Sequence, residues 1–224
     1  LYLNSIGFSI VLIGLLEGIA EASAGLSKGY FGKWSDESGK RLPFVRLGYL
    51  LSAISKPLMV VFVFPFWVFC MRTIDRLGKG IRTGARDAIL SNESTKENKG
   101  KIFGFHRSMD TIGAVLGPSI GLLYLYLHPG SYKTLFLFAI IPGLLAVLIS
   151  LLLKEKKTVA VKSKTFSFFA FLEYWKTSTR SYKELVKGLL LFTLINSSDV
   201  FLLMKAKAEG LNDTWVMVCI FSII

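Results

Sequence analysis

Residues 65–90 read Pro65-Phe-Trp-Val-Phe-Cys-Met-Arg72-Thr-Ile-Asp75-Arg76-Leu-Gly-Lys79-Gly-Ile-Arg82-Thr-Gly-Ala-Arg86-Asp87-Ala-Ile-Leu90. At face value this is the tail of an apolar run followed by a polar loop. Apolar runs of membrane length cover Ile6–Ser27, Leu47–Met71, Met109–Leu127, Leu135–Leu153 and Gly188–Met204. Basic residues test that reading, because Lys and Arg accumulate in the cytoplasmic loops of membrane proteins. The segment 28–46 carries five of them, 96–107 carries four and 154–187 carries nine. With one span between Arg46 and Lys96 these segments cannot share a side. With two spans they do, and only Lys133, Lys205 and Lys207 fall opposite. Pro65–Leu90 is therefore predicted to be a span of its own, opened by Pro65 after a tight turn.

Such a helix carries seven charges: Arg72, Asp75, Arg76, Lys79, Arg82, Arg86 and Asp87. One charge at the bilayer centre costs roughly 2.5–3.5 kcal/mol on insertion scales, so this helix cannot face lipid. The spacing 72, 75, 76, 79, 82, 86 places most of the charges on one stripe, which is predicted to face an aqueous or protein-lined interior. The competing reading is a cytoplasmic amphipathic helix, and charge parity argues against it.

Composition agrees with a multi-pass membrane protein. Of 224 residues 52% are hydrophobic, 18 are Phe and 19% are charged, with a mean hydropathy of +0.53. These values exclude disorder, collagen and a disulfide scaffold. The formal charge of +12 fits cytoplasmic loops better than nucleic acid. Cys70 and Cys219 lie in apolar runs and suit inert thiols; no metal site or cofactor is expected. The opening on Leu and the apolar run 215–224 suggest a fragment cut at both ends, and no signal peptide is evident.

Further polar groups fall inside spans, where ionisable residues are functional candidates by default and interhelical ion pairs are the alternative. Glu17 and Glu21 are i,i+4 neighbours, Lys56 precedes Pro57, and Asp110 follows Arg107 by about one turn. Asn196, Ser197, Ser198 and Asp199 interrupt the last complete run. Between the two groups of spans, basic patches flank Phe166, Phe168, Phe169, Phe171, Tyr174 and Trp175, the pattern of an interfacial helix.

Two motifs are more specific. Gly32-Lys-Trp-Ser-Asp36-Glu-Ser-Gly39-Lys40-Arg41 reads as a tight cytoplasmic turn with glycines at both ends, Asp36 as cap or Arg partner, and Lys40 and Arg41 as inside anchors. Gly113-Ala-Val-Leu-Gly117-Pro118-Ser-Ile-Gly121 places a small residue every four positions beside a kinking Pro, a helix-packing face. The first resembles the loop between the second and third helices of the major facilitator superfamily, and the second resembles the fifth-helix motif of its proton-linked antiporters. Leu122 stands where a further Gly is often found. Residues 75–87 and 196–203 are similar to a bacterial branch of that family, whose fourth-helix Arg corresponds to Arg72 or Arg76.

The resemblance implies an all-α membrane bundle, a partial version of two six-helix halves around a central cavity. Residues 1–153 would hold helices two to six, 154–187 the cytoplasmic central loop, and 188–224 the start of the second half. It implies a non-enzymatic, proton-coupled secondary transporter of the bacterial inner membrane, working by alternating access, with efflux as the favoured direction. Its partners would be the lipid bilayer, protons and a small, anionic or zwitterionic solute. The proton-coupling candidates are Glu17, Glu21, Asp110 and Asp199; the cavity candidates are Lys56, Arg72, Arg76, Lys79 and Asn196. Gly32, Asp36, Gly39, Lys40 and Arg41 form a gate motif in which Asp36 is expected to pair with Arg82 or Arg86. Gly113, Gly117, Pro118 and Gly121 supply the rocking interface. The rival functions are a receptor or assembly factor on the same fold, and a membrane-embedded phosphotransferase. Against the latter, His106 and His128 lie far apart and Gly78-Lys79-Gly80 lacks the spacing that follows in a phosphate-binding loop.

Overall fold

The computed structural model describes residues 3, 7–62, 64–155, 170–195, 205 and 208–210. Asn196, Asp199 and Cys219 lie outside the described residues, as do Phe166, Phe168 and Phe169 of the aromatic run. The chain forms two compact units, Leu1–Lys162 and Ser163–Ile224. In the first, α1 spans Ile10–Ser38, α2 Leu42–Leu58, α3 Pro65–Asn92, α4 Lys99–Leu127, α5 Tyr132–Phe138 and α6 Ile140–Leu152. In the second, α7 spans Ala170–Thr177 and α8 Arg180–Ile195. Among the described residues there is no strand. This is an all-α bundle.

The run Leu47–Met71 is broken where charge parity requires. The α2 helix stops at Leu58, and α3 starts at Pro65, whose missing N–H costs nothing in the first turn. Trp67 on α3 donates its indole N–H at 2.7 Å to the Leu58 carbonyl at the end of α2, which also accepts the Val61 N–H at 3.2 Å. The remaining boundaries differ from the sequence expectations. The Ser9 hydroxyl caps α1, accepting the Leu12 N–H, and α1 continues through Lys28 and Lys33 to Ser38, so Gly32 is helical and not part of a turn. Only Gly39, at φ 64°, makes the expected left-handed stop. The run Leu135–Leu153 is two helices meeting at Ala139, α4 begins at Lys99, and α8 begins at Arg180.

The core of the first unit is α3 laid between α1 and α2. Glycines make this possible at backbone range. A Cβ on Gly80 would sit 1.8 Å from Ser27 Oγ and 2.5 Å from the Ala24 carbonyl oxygen of α1. A Cβ on Gly84 would meet the Gly32 Cα at 3.0 Å, and Gly78 and Gly48 oppose each other across α2 in the same way. The α6 helix packs on α2, where Gly143 faces Ala53.

Among the described residues, three helical stretches are long and apolar enough to cross a membrane: Ile10–Ser38, Lys99–Leu127 and Tyr132–Leu152. The α3 helix is excluded from that set by its charges. Aromatic clusters bracket α2. Trp34 and Phe44 meet at 5.4 Å near its start, and Phe62 and Trp67 at 5.1 Å beyond its end. The 17 residues of α2 separate them by about 25 Å, close to the hydrocarbon thickness at whose edges such belts sit.

One end of the unit is tied by a reciprocal clamp. The Glu155 carboxylate accepts the backbone N–H groups of Arg41 and Leu42, both at 2.9 Å, where α2 begins. Arg46 in turn donates to the carbonyls of Ser150, Leu151 and Leu153 at the end of α6. Each charge stabilises a helix terminus of the opposite partial charge.

Candidate functional site

The charged stripe of α3 is divided among three neighbours. Towards α1, Arg72 binds Glu17 through Nη2 at 2.6 Å and Nε at 3.1 Å. Arg76 reaches the other Glu17 oxygen at 3.7 Å and Glu21 at 3.1 Å. Two carboxylates one turn apart on α1 thus meet two guanidiniums one turn apart on α3, and the formal charges cancel. Arg72 and Arg76 lie about 10 and 16 Å along α3 from Pro65 at 1.5 Å per residue, between the aromatic belts. The Arg72–Glu17 pair is close and largely enclosed, whereas Glu21 is exposed and the buried Arg76 Nε has no hydrogen-bond partner.

Towards α2, the Arg82 guanidinium lies 4.7 Å over the Tyr49 ring, and its Nη1 donates to Ser52 Oγ at 3.2 Å. Ser52 Oγ donates in turn to the Asp75 carbonyl. Towards α4, Arg86 reaches Asp110 at 3.7 Å and Asp87 at 3.7 Å, while Asp110 also lies 3.4 Å from His106 Nε2. Asp87 pairs with Lys28 of α1 at 3.5 Å.

Among the described residues, Lys56, Lys79 and Asp75 enter no ion pair. Lys79 is exposed, whereas Lys56 and Asp75 are half-buried. No three His, Cys, Asp or Glu side chains among the described residues converge as a metal site requires.

The expected pairing of Asp36 with Arg82 or Arg86 is not formed. Asp36 binds Arg41 at 2.9 Å across the Gly39 turn, and Arg41 also donates to the Ala88 carbonyl of α3. The rotation of α3 turns Arg82 to Tyr49 and Arg86 to Asp110, so neither head is available to Asp36. The packing expected of Gly113 and Gly117 is also not made within the described residues. A Cβ on either would meet nothing within 4 Å, and only Gly121 finds a neighbour, Leu135. Lys40 is exposed beside the turn, and Pro118 is accommodated inside α4.

Sequence reasoning missed Tyr49, Ser52, Arg46, Glu155 and His106. The first two sit three apart on α2, a legible helical spacing whose partner could not be known. His106 stands four residues before Asp110, a spacing at which helical side chains meet, yet the two histidines enter the sequence reading only through their separation from each other.

The sequence pattern of the Major Facilitator Superfamily matches residues 1–224. The chain belongs to the Major Facilitator Superfamily. A transporter of this superfamily type from Methanocaldococcus jannaschii is 33% identical over 205 residues, 92% of this chain and 50% of its own length. The quinolone resistance protein NorA of Staphylococcus aureus is 26% identical over 196 residues, 88% of this chain and 48% of its own. A Mycobacterium tuberculosis protein is 31% identical over 117 residues, 52% of this chain. The chain spans about half the length of the first two relatives. Superfamily membership and the apolar helices make it a membrane protein.

Proposed function

We propose that the chain is part of a secondary active transporter of the plasma membrane, working by alternating access and coupling the movement of a small anionic or zwitterionic solute to protons. The cluster of Glu17, Glu21, Arg72 and Arg76 carries this reading. Ionisable groups held between helices of a membrane bundle mark ion and solute pathways. With the charges balanced, protonating one carboxylate releases a guanidinium, and Arg is the side chain suited to bidentate capture of carboxylate or phosphate. A protonated carboxylate thus frees an arginine for the solute, so proton binding and solute binding are linked through the same residues. Lys56 and Lys79, without carboxylate partners among the described residues, add to the attraction for an anion. Asp110, Asn196 and Asp199 remain proposed participants, and the open small-residue face of α4 is the proposed rocking surface. The NorA relative is named for quinolone resistance; quinolones carry a carboxylate, which makes them a first solute class to test and efflux the direction.

The test uses the full-length protein in proteoliposomes with an imposed pH gradient and a panel of organic anions, zwitterions including a quinolone, and lipophilic cations. Anions or zwitterions should move with the gradient, and Arg76→Ala should lower that flux tenfold or more. Glu17→Gln or Glu21→Gln should abolish accumulation while sparing exchange down the solute's own gradient. A preference for lipophilic cations that survives Arg76→Ala would make the cluster scaffolding.

A further inference from the structure

We propose that His106 is a proton-operated positioning residue that decides whether Asp110 holds Arg86, and so sets the contact between α3 and α4. The inference rests on the transporter reading for its purpose but not for its geometry. One oxygen of Asp110, Oδ2, is 3.4 Å from His106 Nε2 and 3.7 Å from Arg86 Nη2. Neither approach is closed. His106 Nε2 and Arg86 Nε are both buried without a hydrogen-bond partner, a condition that native structures rarely tolerate without a role. Two donors therefore stand over one acceptor that neither has secured.

Imidazole is the side chain whose charge changes between about pH 5 and 8. As the cation, His106 donates to Asp110 from the same helix and weakens the hold on Arg86. As the neutral ring it keeps one N–H but no charge, so its pull on the carboxylate weakens to that of a neutral donor, and Asp110 turns to Arg86. The charged groups facing this site from α3 are Arg82, Arg86 and Asp87, with Asp87 held in turn by Lys28 of α1. The α5 helix packs near the other end of α4, where Leu135 meets Gly121, and brings no charge to His106. When Arg86 leaves Asp110 its alternative partner is already present in Asp87, also at 3.7 Å. The exchange moves one guanidinium between two carboxylates on different helices. Because this salt bridge joins α3 to α4, its loss loosens that contact.

The test places spin labels at Ser91 on α3 and Lys101 on α4 of the full-length protein in nanodiscs and measures their distance by pulsed EPR at pH 5.5 and pH 8. The distribution should lengthen at the lower pH. His106→Gln should hold the short distribution at both values, and His106→Lys, a permanent cation, should hold the long one. The opposite phases of the two variants separate a switch from damage to folding. A distribution that ignores pH in the wild type, or that keeps its pH response in His106→Gln, overturns the proposal. If proteoliposomes carry no solute at all while the EPR response stands, the transporter reading fails and the switch does not.

Discussion

The α3 and α4 helices are nearly equal in length, 28 and 29 residues, and opposite in construction. The α3 helix is too charged for lipid, and its neighbours meet it with glycine at the crossings and with carboxylates or a tyrosine ring at the cations. The α4 helix is apolar, carries small residues at Gly113 and Gly117, and has no buried residue among those described. Its Ile112, Leu116, Ile120 and Leu123 are all exposed. Hydrophobicity alone would have ranked α4 as the inner helix. The bundle instead buries the helix that lipid would reject, because a charge in hydrocarbon costs more than an apolar side chain gains by leaving it.

The hardest blow to this contrast is expected at Gly80. With Ser27 Oγ 1.8 Å and a backbone carbonyl 2.5 Å from the new Cβ, Gly80→Ala must separate α1 from α3. A loss of about 3 kcal/mol, the upper end for overpacking, should appear as a lowered melting midpoint or failure to accumulate folded protein. A neutral result would mean that α1 and α3 do not cross at backbone range.

Of intermediate size is the ion pair. Arg72→Ala leaves Glu17, only 13% exposed at its side chain, with the longer Arg76 contact alone. Removing one partner of a buried pair costs about 3–5 kcal/mol, and the 28% exposure of Arg72 reduces this to about 2 kcal/mol. The double variant Glu17→Gln with Arg72→Gln should cost less than Arg72→Ala, and a thermal-melt double-mutant cycle checks this. Equal or additive losses would show that the two side chains do not depend on each other.

How far the molecule could be read in advance follows the same division. The break at Pro65 was legible because proline chemistry and the side-preference of Lys and Arg act through sequence position alone. The i,i+4 spacings of Glu17 with Glu21 and Arg72 with Arg76 were equally plain. Which stripe faces which was not, since the rotation of α3 about its axis is fixed by Gly78, Gly80 and Gly84 meeting three separate points on α1 and α2. That rotation carried Arg82 to Tyr49 and left Asp36 with Arg41. Gly32, expected in a turn, serves the crossing with Gly84, and nothing in the turn-like string Gly-Lys-Trp-Ser-Asp distinguishes the two uses.

The smallest effect sharpens the comparison from the other helix. Gly113→Ala meets nothing within 4 Å, so the ordinary helix preference should prevail and raise stability by up to about 1 kcal/mol. In the full-length protein the rocking surface proposed for this face calls for a loss instead; a gain by thermal melting there would leave α4 an outer helix and remove that proposal.

The clamp at Glu155 also has a consequence in time. Its carboxylate lies 114 and 113 residues downstream of the two amides it satisfies. At synthesis rates of roughly 5–20 residues per second, those amides wait some 6–23 s before their partner exists. Arg46 waits almost as long for the carbonyls of α6. Until then the two amides have only water to meet them, so the clamp closes after the contacts that Arg41 makes with Asp36 and Ala88. It records that α6 has been made and brought back to α2, a seal on the insertion of this unit.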